Sequence, residues 1–154
     1  MAGSARHASP YALLSASIAT DFVTTAQNTW VSVPFATSLE LEGNGFLERV
    51  SGSDTQFRAL ADMHATIHIR YDITNPGRDR REYQQRIRIN GTTVPVGSFS
   101  GNISMKDKKM MASYFMSFDL LANDYIEFQV NPLNDNVTLY ALGSYLELKL
   151  MELE

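Results

Sequence analysis

No cysteine occurs anywhere in the 154 residues. That absence excludes a disulfide framework and a thiolate zinc site, so packing and subunit association are left to hold the fold. Long apolar runs are missing as well: none approaches the length that a bilayer-spanning helix requires, and no membrane segment is expected. Histidine is scarce, with three copies, and tryptophan occurs once. The N-terminal stretch "MAGSARHASPYALLSASIATDF" lacks a long apolar block ahead of a small-residue cleavage site, so a leaderless cytoplasmic product is expected. What is present looks globular: 44% of residues are apolar and 19% charged. The length suits one domain with a sizeable core and is too short for two. The expected organisation is an N-terminal arm over 1–14 followed by a single domain over 15–154.

The dominant period along the chain is two residues, the mark of strands with one buried face. In "HATIHIRYDI", Ala65, Ile67, Ile69, Tyr71 and Ile73 share one parity, and His64, Thr66, His68, Arg70 and Asp72 share the other. "EYQQRIRI" places Tyr83, Ile87 and Ile89 opposite Gln84, Arg86 and Arg88, and the following Asn90-Gly91 signals a hairpin turn into "VPVGSF". "MASYFMSFDL" alternates through Ala112, Tyr114, Met116, Phe118 and Leu120, and a second run alternates through Ile126, Phe128 and Val130. Between them Asn123-Asp124 suits a tight connection, since short polar side chains bond the local backbone and Asn tolerates left-handed geometry. Ala16, Ile18, Thr20 and Phe22 form an earlier alternating run, as do Val31, Val33 and Phe35. "LELEGNGFLERV" reads as two strands flanking a glycine turn. A short helix over "SPYALLSASIA" is a minor alternative, with Ser9 as its cap. Eight to ten strands with regular turn signals predict an all-β sandwich or barrel.

Candidate chemistry is thin. His64 and His68 are four apart, which on a strand separates them by about 13 Å, too far to share one ion. Asp119 and Asp124 fall close together in the predicted hairpin, where turn acids are the ordinary reading. "NPLNDN", from Asn131 to Asn136, offers oxygen ligands for calcium but lacks the spacing of the known calcium loops, and a solvated loop is the simpler reading. No catalytic residue, cofactor site or metal site is therefore assigned, and the expectation is a protein that is not an enzyme. Charge is more informative. The net charge is −4, yet the segment from Arg78 to Lys109 holds eight basic residues against three acids, a local +5 that leaves −9 for the remainder. General nucleic-acid binding is disfavoured, while one local anionic contact is permitted. Arg78, Arg80 and Arg81 before one strand, and Lys106, Lys108 and Lys109 before another, are expected to converge at one end of the sandwich as a partner-binding cluster. A solvated loop tip is the competing reading.

Taken in order, "TWVSVPF", the long strand before "YDITNPG", "RIRINGTTV", the hairpin "MSFDLLANDYIEFQV" and the closing "VTLYALGSYLELKL" resemble the jelly roll of the complement-one-q globular head and the tumour necrosis factor superfamily. The resemblance runs from Ser15 to Met151. Its most local sign is a leucine strand turning at Ala122-Asn123-Asp124, where the family carries a Gly-Asp turn. The resemblance implies a compact homotrimer used for binding. Without a collagen-like stalk, cysteine or leader, the chain looks more like bacteriophage structural proteins that decorate a capsid or sit on a tail or fibre. The implied partners are further copies of the chain and capsid or tail proteins, or an anionic surface glycan, and the implied location is the virion. A lectin-like carbohydrate- or receptor-binding module is the alternative. The closing strand is apolar on both parities through Leu139, Tyr140, Ala141 and Leu142, so one parity can enter the core while the other meets a neighbouring subunit. Leu139, Tyr140, Leu142 and Tyr145 are accordingly the expected trimer interface.

Overall fold

In a computed structural model of the chain, residues 11–24, 27–35, 37–42, 46–74, 81–103, 109–133 and 136–153 are described. They form strands and connecting segments without a helix: β1 (Tyr11–Ser17), β2 (Phe22–Val23), β3 (Val31–Ser32), β4 (Thr37–Glu42), β5 (Leu47–Arg49), β6 (Gln56–Ala59), β7 (Met63–Thr74), β8 (Arg81–Ile89), β9 (Thr92–Ile103), β10 (Lys109–Leu120), β11 (Tyr125–Pro132), β12 (Thr138–Leu139) and β13 (Tyr145–Glu152). Two antiparallel sheets face each other. One runs β4-β1-β13-β7, with β10 on the far edge of β7 and β12 and β2 continuing beyond its C-terminal half. The other runs β5-β6-β11-β8-β9, with the short β3 also against β11. This is the expected all-β jelly-roll sandwich, and "LELEGNGFLERV" divides between the two sheets because β4 pairs β1 while β5 pairs β6.

The alternation read from sequence is the alternation that packs. Ala65, Ile67, Ile69, Tyr71 and Ile73 of β7 are fully buried, and Ile126, Phe128 and Val130 of β11 meet them from the facing sheet. Phe128 stands edge-on to Phe35 with ring centres 5.7 Å apart, and to Phe57 at 6.5 Å. Burial pushes the phenols of Tyr71 and Tyr83 far above the ordinary tyrosine range, so both stay neutral inside the sandwich. Asn90 and Gly91 adopt left-handed φ of 52° and 77°, and Asn123 one of 74°, as both expected turns require.

Two expectations are corrected. The sheet begins at Tyr11 rather than Ser15: β1 pairs β13 from Tyr11 onward, and Ala12 and Leu14 are core residues. Residues 1–10 of the expected arm lie outside the described residues. The closing segment is also two strands rather than one. Between β12 and β13 the chain turns around Asp72, whose carbonyl accepts from Tyr140 N at 2.9 Å and whose amide donates to Ser144 Oγ at 2.9 Å. Gly143, at a φ of 103°, permits this turn, and a Cβ there would stand 3.1 Å from Asp72 Oδ2. The turn shifts the inward parity from Leu139 to Leu146, Leu148 and Leu150, which explains why the stretch is apolar on both parities.

Candidate association face

The outward face of the first sheet is built from rows of opposed residues. In the central row Phe115 of β10 lies opposite His68 of β7, His68 opposite Glu147 of β13, and Glu147 opposite Ser15 of β1. The row below runs Ser117, Thr66, Lys149, Leu13, and the row above runs Ser113, Arg70, Tyr145, Ser17. Most of these positions are polar, as a solvated face demands. Phe115 departs from that rule, being 74% exposed on the parity shared with Ser113, Ser117 and Asp119.

His68 anchors that aromatic. Its ring stacks on Phe115 with centroids 4.1 Å apart and meets Tyr145 edge-on at 5.6 Å, and Arg70 lies 5.6 Å over Tyr145 from its other side of the row. His68 Nε2 shares a hydrogen bond with Ser113 Oγ, and Nδ1 faces Glu147 Oε2 at 3.7 Å. His64 Nδ1 meets Asp119 Oδ1 at 2.8 Å across the same strand pair. Beside the aromatic group a shallow cleft of about 410 Å3 is lined by Leu13, Thr66, His68, Phe115, Glu147 and Lys149. Leu13 is 42% exposed on its floor. The order Ser113, His68, Glu147 matches a nucleophile, base and acid, an arrangement that sequence reading missed because its members lie on three strands. Its geometry is not that of a poised nucleophile. Glu147 is beyond hydrogen-bond reach of Nδ1 and more than half exposed, so it is not the buried orienting contact such a triad needs.

The expected interface residues divide. Leu139 is fully buried in the core of its own chain, which removes it from any contact surface. Leu142 is 89% exposed at the turn before β13, Tyr140 is half-buried beside it, and Tyr145 is half-buried within the aromatic group on the sheet face. Phe115, His68 and Leu13 were not singled out in the sequence. The available signal was Phe115 itself, an aromatic on the polar parity of "SYFMSFD".

Arg78, Arg80, Lys106 and Lys108 lie outside the described residues, and for Arg81 and Lys109 only the backbone is placed. Lys109 pairs with Thr74 in one sheet, and Arg81 pairs with Ile103 in the other. Pro132 lies opposite Tyr83 and Thr138 opposite Thr74, so the short link from β11 to β12 closes the same end of the sandwich. The strands that carry the two basic segments therefore start and stop at one end. Of the Asn131–Asn136 stretch, Asn131 is buried and donates from Nδ2 to Gln84 Oε1 at 3.4 Å. Among the described residues no three His, Asp or Glu side chains gather as metal ligands would. Asp124 serves its turn, accepting from Leu121 N at 2.8 Å and from Asn90 Nδ2 at 2.7 Å.

No family model matches the sequence, and no curated protein matches it in sequence. Solved structures do match in fold. Murine APRIL at pH 8.0 superposes with a TM-score of 0.62 at 15% identity, covering 90% of this chain and 98% of that one. Bushbaby GITRL gives 0.54 at 8% identity over 92% and 94%, and pika GITRL 0.52 at 15% over 91% and 94%. These are tumour-necrosis-factor-family proteins, and the likeness at such identities is one of fold. It agrees with the jelly roll that the order of motifs resembled.

Proposed function

We propose that this chain is a non-enzymatic binding module that assembles into a homotrimer through the outward face of the β4-β1-β13-β7-β10 sheet and attaches to a macromolecular surface. The observation that carries the reading is Phe115, an aromatic held open on that face by stacking on His68. A ring so exposed, with Leu13 and Tyr145 beside it, withdraws its apolar surface from water only when another surface covers it. A second copy is the fitting occupant, because the face carries both members of complementary pairs, Arg70 and Lys149 with Glu147 and Asp119. The shared fold supports a trimer over other assemblies.

The setting we propose is a bacteriophage virion, where the trimer serves as a capsid decoration or host-attachment protein. The cysteine-free chain and its resemblance to such jelly rolls support that setting. The basic segments at 78–81 and 106–109, rooted at one end of the sandwich, would supply an anionic contact in three copies. The alternative, a lectin-like carbohydrate- or receptor-binding module, is favoured by a polar groove on the opposite sheet. Light scattering on the purified protein at micromolar concentration tests the assembly. A mass three times that of the chain is expected, and a monomer at that concentration would overturn the reading.

A further inference from the structure

The outward face of the second sheet is polar where β8 meets β11. Arg86, Gln84 and Arg88 of β8 lie opposite Gln129, Asn131 and Glu127 of β11, and Ser32 of β3 lies opposite Gln129. Against this surface stands Trp30, half-buried and the only tryptophan of the chain. The Arg86 guanidinium sits 4.0 Å from the centre of its ring, within cation-π range.

Arg86 is held in place from behind. Its Nε donates to Gln129 Oε1 at 2.7 Å, Gln129 Nε2 donates to Ser32 Oγ at 3.1 Å, and Ser32 Oγ donates to Glu127 Oε2 at 3.1 Å. Gln129 is itself buried, so the relay fixes the arginine rather than decorating it. Burial and the neighbouring Arg88 hold the Arg86 guanidinium below its ordinary value, with Glu127 pulling the other way. It stays charged at neutral pH, because guanidinium starts so far above it. Only Nε is engaged: the Nη groups make no hydrogen bond among the described residues. Arg86 lines a groove of about 230 Å3 together with Trp30, Gln84, Gln85, Thr93, Ser98 and Ser100. Amide and hydroxyl groups, one half-covered indole and one positioned guanidinium are the means by which proteins hold a sugar ring bearing a carboxylate. The hydroxyls and amide match ring hydroxyls, and the guanidinium, braced against the indole, takes the carboxylate through paired N–H donors. Arg86 is the one charged side chain lining the groove among the described residues. The volume falls below the roughly 300–1,000 Å3 of pockets for drug-sized ligands, which limits it to one ring.

We infer that this groove is a subsite for a single acidic sugar residue, a uronic or sialic acid at the end of a glycan, with Arg86 as its carboxylate anchor and Trp30 as the brace that holds the anchor. The inference rests on the reading of the chain as a binding module. It does not rest on the association face, which belongs to the other sheet.

The single tryptophan makes the test direct. Trp30 emission is titrated with glucuronate and with N-acetylneuraminate at constant ionic strength, with glucose and acetate as controls, and the mass of the protein is followed in parallel. A saturable change with at least one acidic sugar is expected, with glucose and acetate at least tenfold weaker. Arg86→Gln should weaken the response tenfold or more while melting and mass stay unchanged. Since Arg86→Gln also alters the surroundings of the indole, Ser100→Tyr is made beside it, filling the groove from an exposed position, and binding is read a second time by saturation-transfer NMR on the sugar protons. No saturable response to either acidic sugar by both readouts, an equal response to glucose, or binding indifferent to both substitutions would each overturn the subsite. Loss of the trimer with retained sugar binding would instead strike the association face alone.

Discussion

Gly101 lies against the fully buried ring of Tyr83. A Cβ there would stand 2.6 Å from the phenol oxygen and 2.9 Å from the nearest ring CH carbon, closer than packed atoms tolerate. The ring cannot retreat freely, because its hydroxyl shares a 3.1 Å hydrogen bond with Tyr114 across the sandwich. Gly101→Ala should therefore destabilise the protein by about 1–3 kcal/mol, the usual cost of overpacking, as read from the midpoint of urea unfolding. Tyr83→Phe should relieve only part of it, since removing the hydroxyl frees the ring from Tyr114 but leaves the ring carbons in the way. Single residues were the hardest scale to read from sequence. Gly101 sits in a run of small residues with nothing to set it apart, Trp30 gained its meaning from an arginine 56 positions away that a sequence places only on an outward parity, and Phe115 drew notice only when set against the polar parity of its strand.

At the scale of elements, Asn90 ties two hairpins together. It begins the β8–β9 turn in a left-handed conformation, and its side chain reaches the β10–β11 turn: Nδ2 donates to Asp124 Oδ1 at 2.7 Å, and Oδ1 accepts from Tyr125 N at 2.9 Å. Asp62 Oδ1 accepts from Ala122 N at 2.9 Å on the same turn. Asn90→Ala loses both bonds and places a Cβ-bearing residue without local hydrogen bonding at positive φ, so a loss of about 1–3 kcal/mol is expected. A thermal-melt cycle of Asn90→Ala with Asp124→Ala should give a coupling of at least about 0.5 kcal/mol, and strict additivity would show the two turns to be independent. The strands themselves were legible because half-burial writes a period of two into the chain, and β7, β8, β10 and β11 carry it plainly. The break between β12 and β13 was not legible. A turn that shifts parity leaves an unbroken apolar run, and only the position of Asp72 beneath Gly143 shows why the chain bends there.

For the whole molecule, the fold was legible and the placing of single apolar residues less so. Motif order resembled the jelly roll correctly, since strand sequence and turn position are properties of the chain alone. Of the expected interface residues Leu139 turned out to be core, because a residue apolar by sequence gives no sign of which side of the sheet it faces once the register has shifted. The basic end carries its own prediction. Replacing Arg80, Arg81, Lys108 and Lys109 together by alanine should leave stability nearly unchanged and weaken binding to purified capsids or host-cell surfaces, and added salt should weaken the wild type likewise. The screening length is about 8 Å at 0.15 M salt, so attachment through these charges must fall steeply above it. Equal binding by both proteins at every salt concentration would reduce the cluster to a solubility feature.

The central claim is that copies of the chain meet through the sheet that bears Phe115, and sedimentation equilibrium of two variants tests it most directly. Phe115→Asp places a charge at the middle of that face, where burial without a partner is strongly unfavourable, while Leu142→Asp places one on an exposed turn outside it. The account predicts a trimer for wild type and for Leu142→Asp, and a folded monomer for Phe115→Asp with its far-ultraviolet spectrum retained. A Phe115→Asp protein that sediments as the same trimer, or a Leu142→Asp protein that alone dissociates, would contradict it.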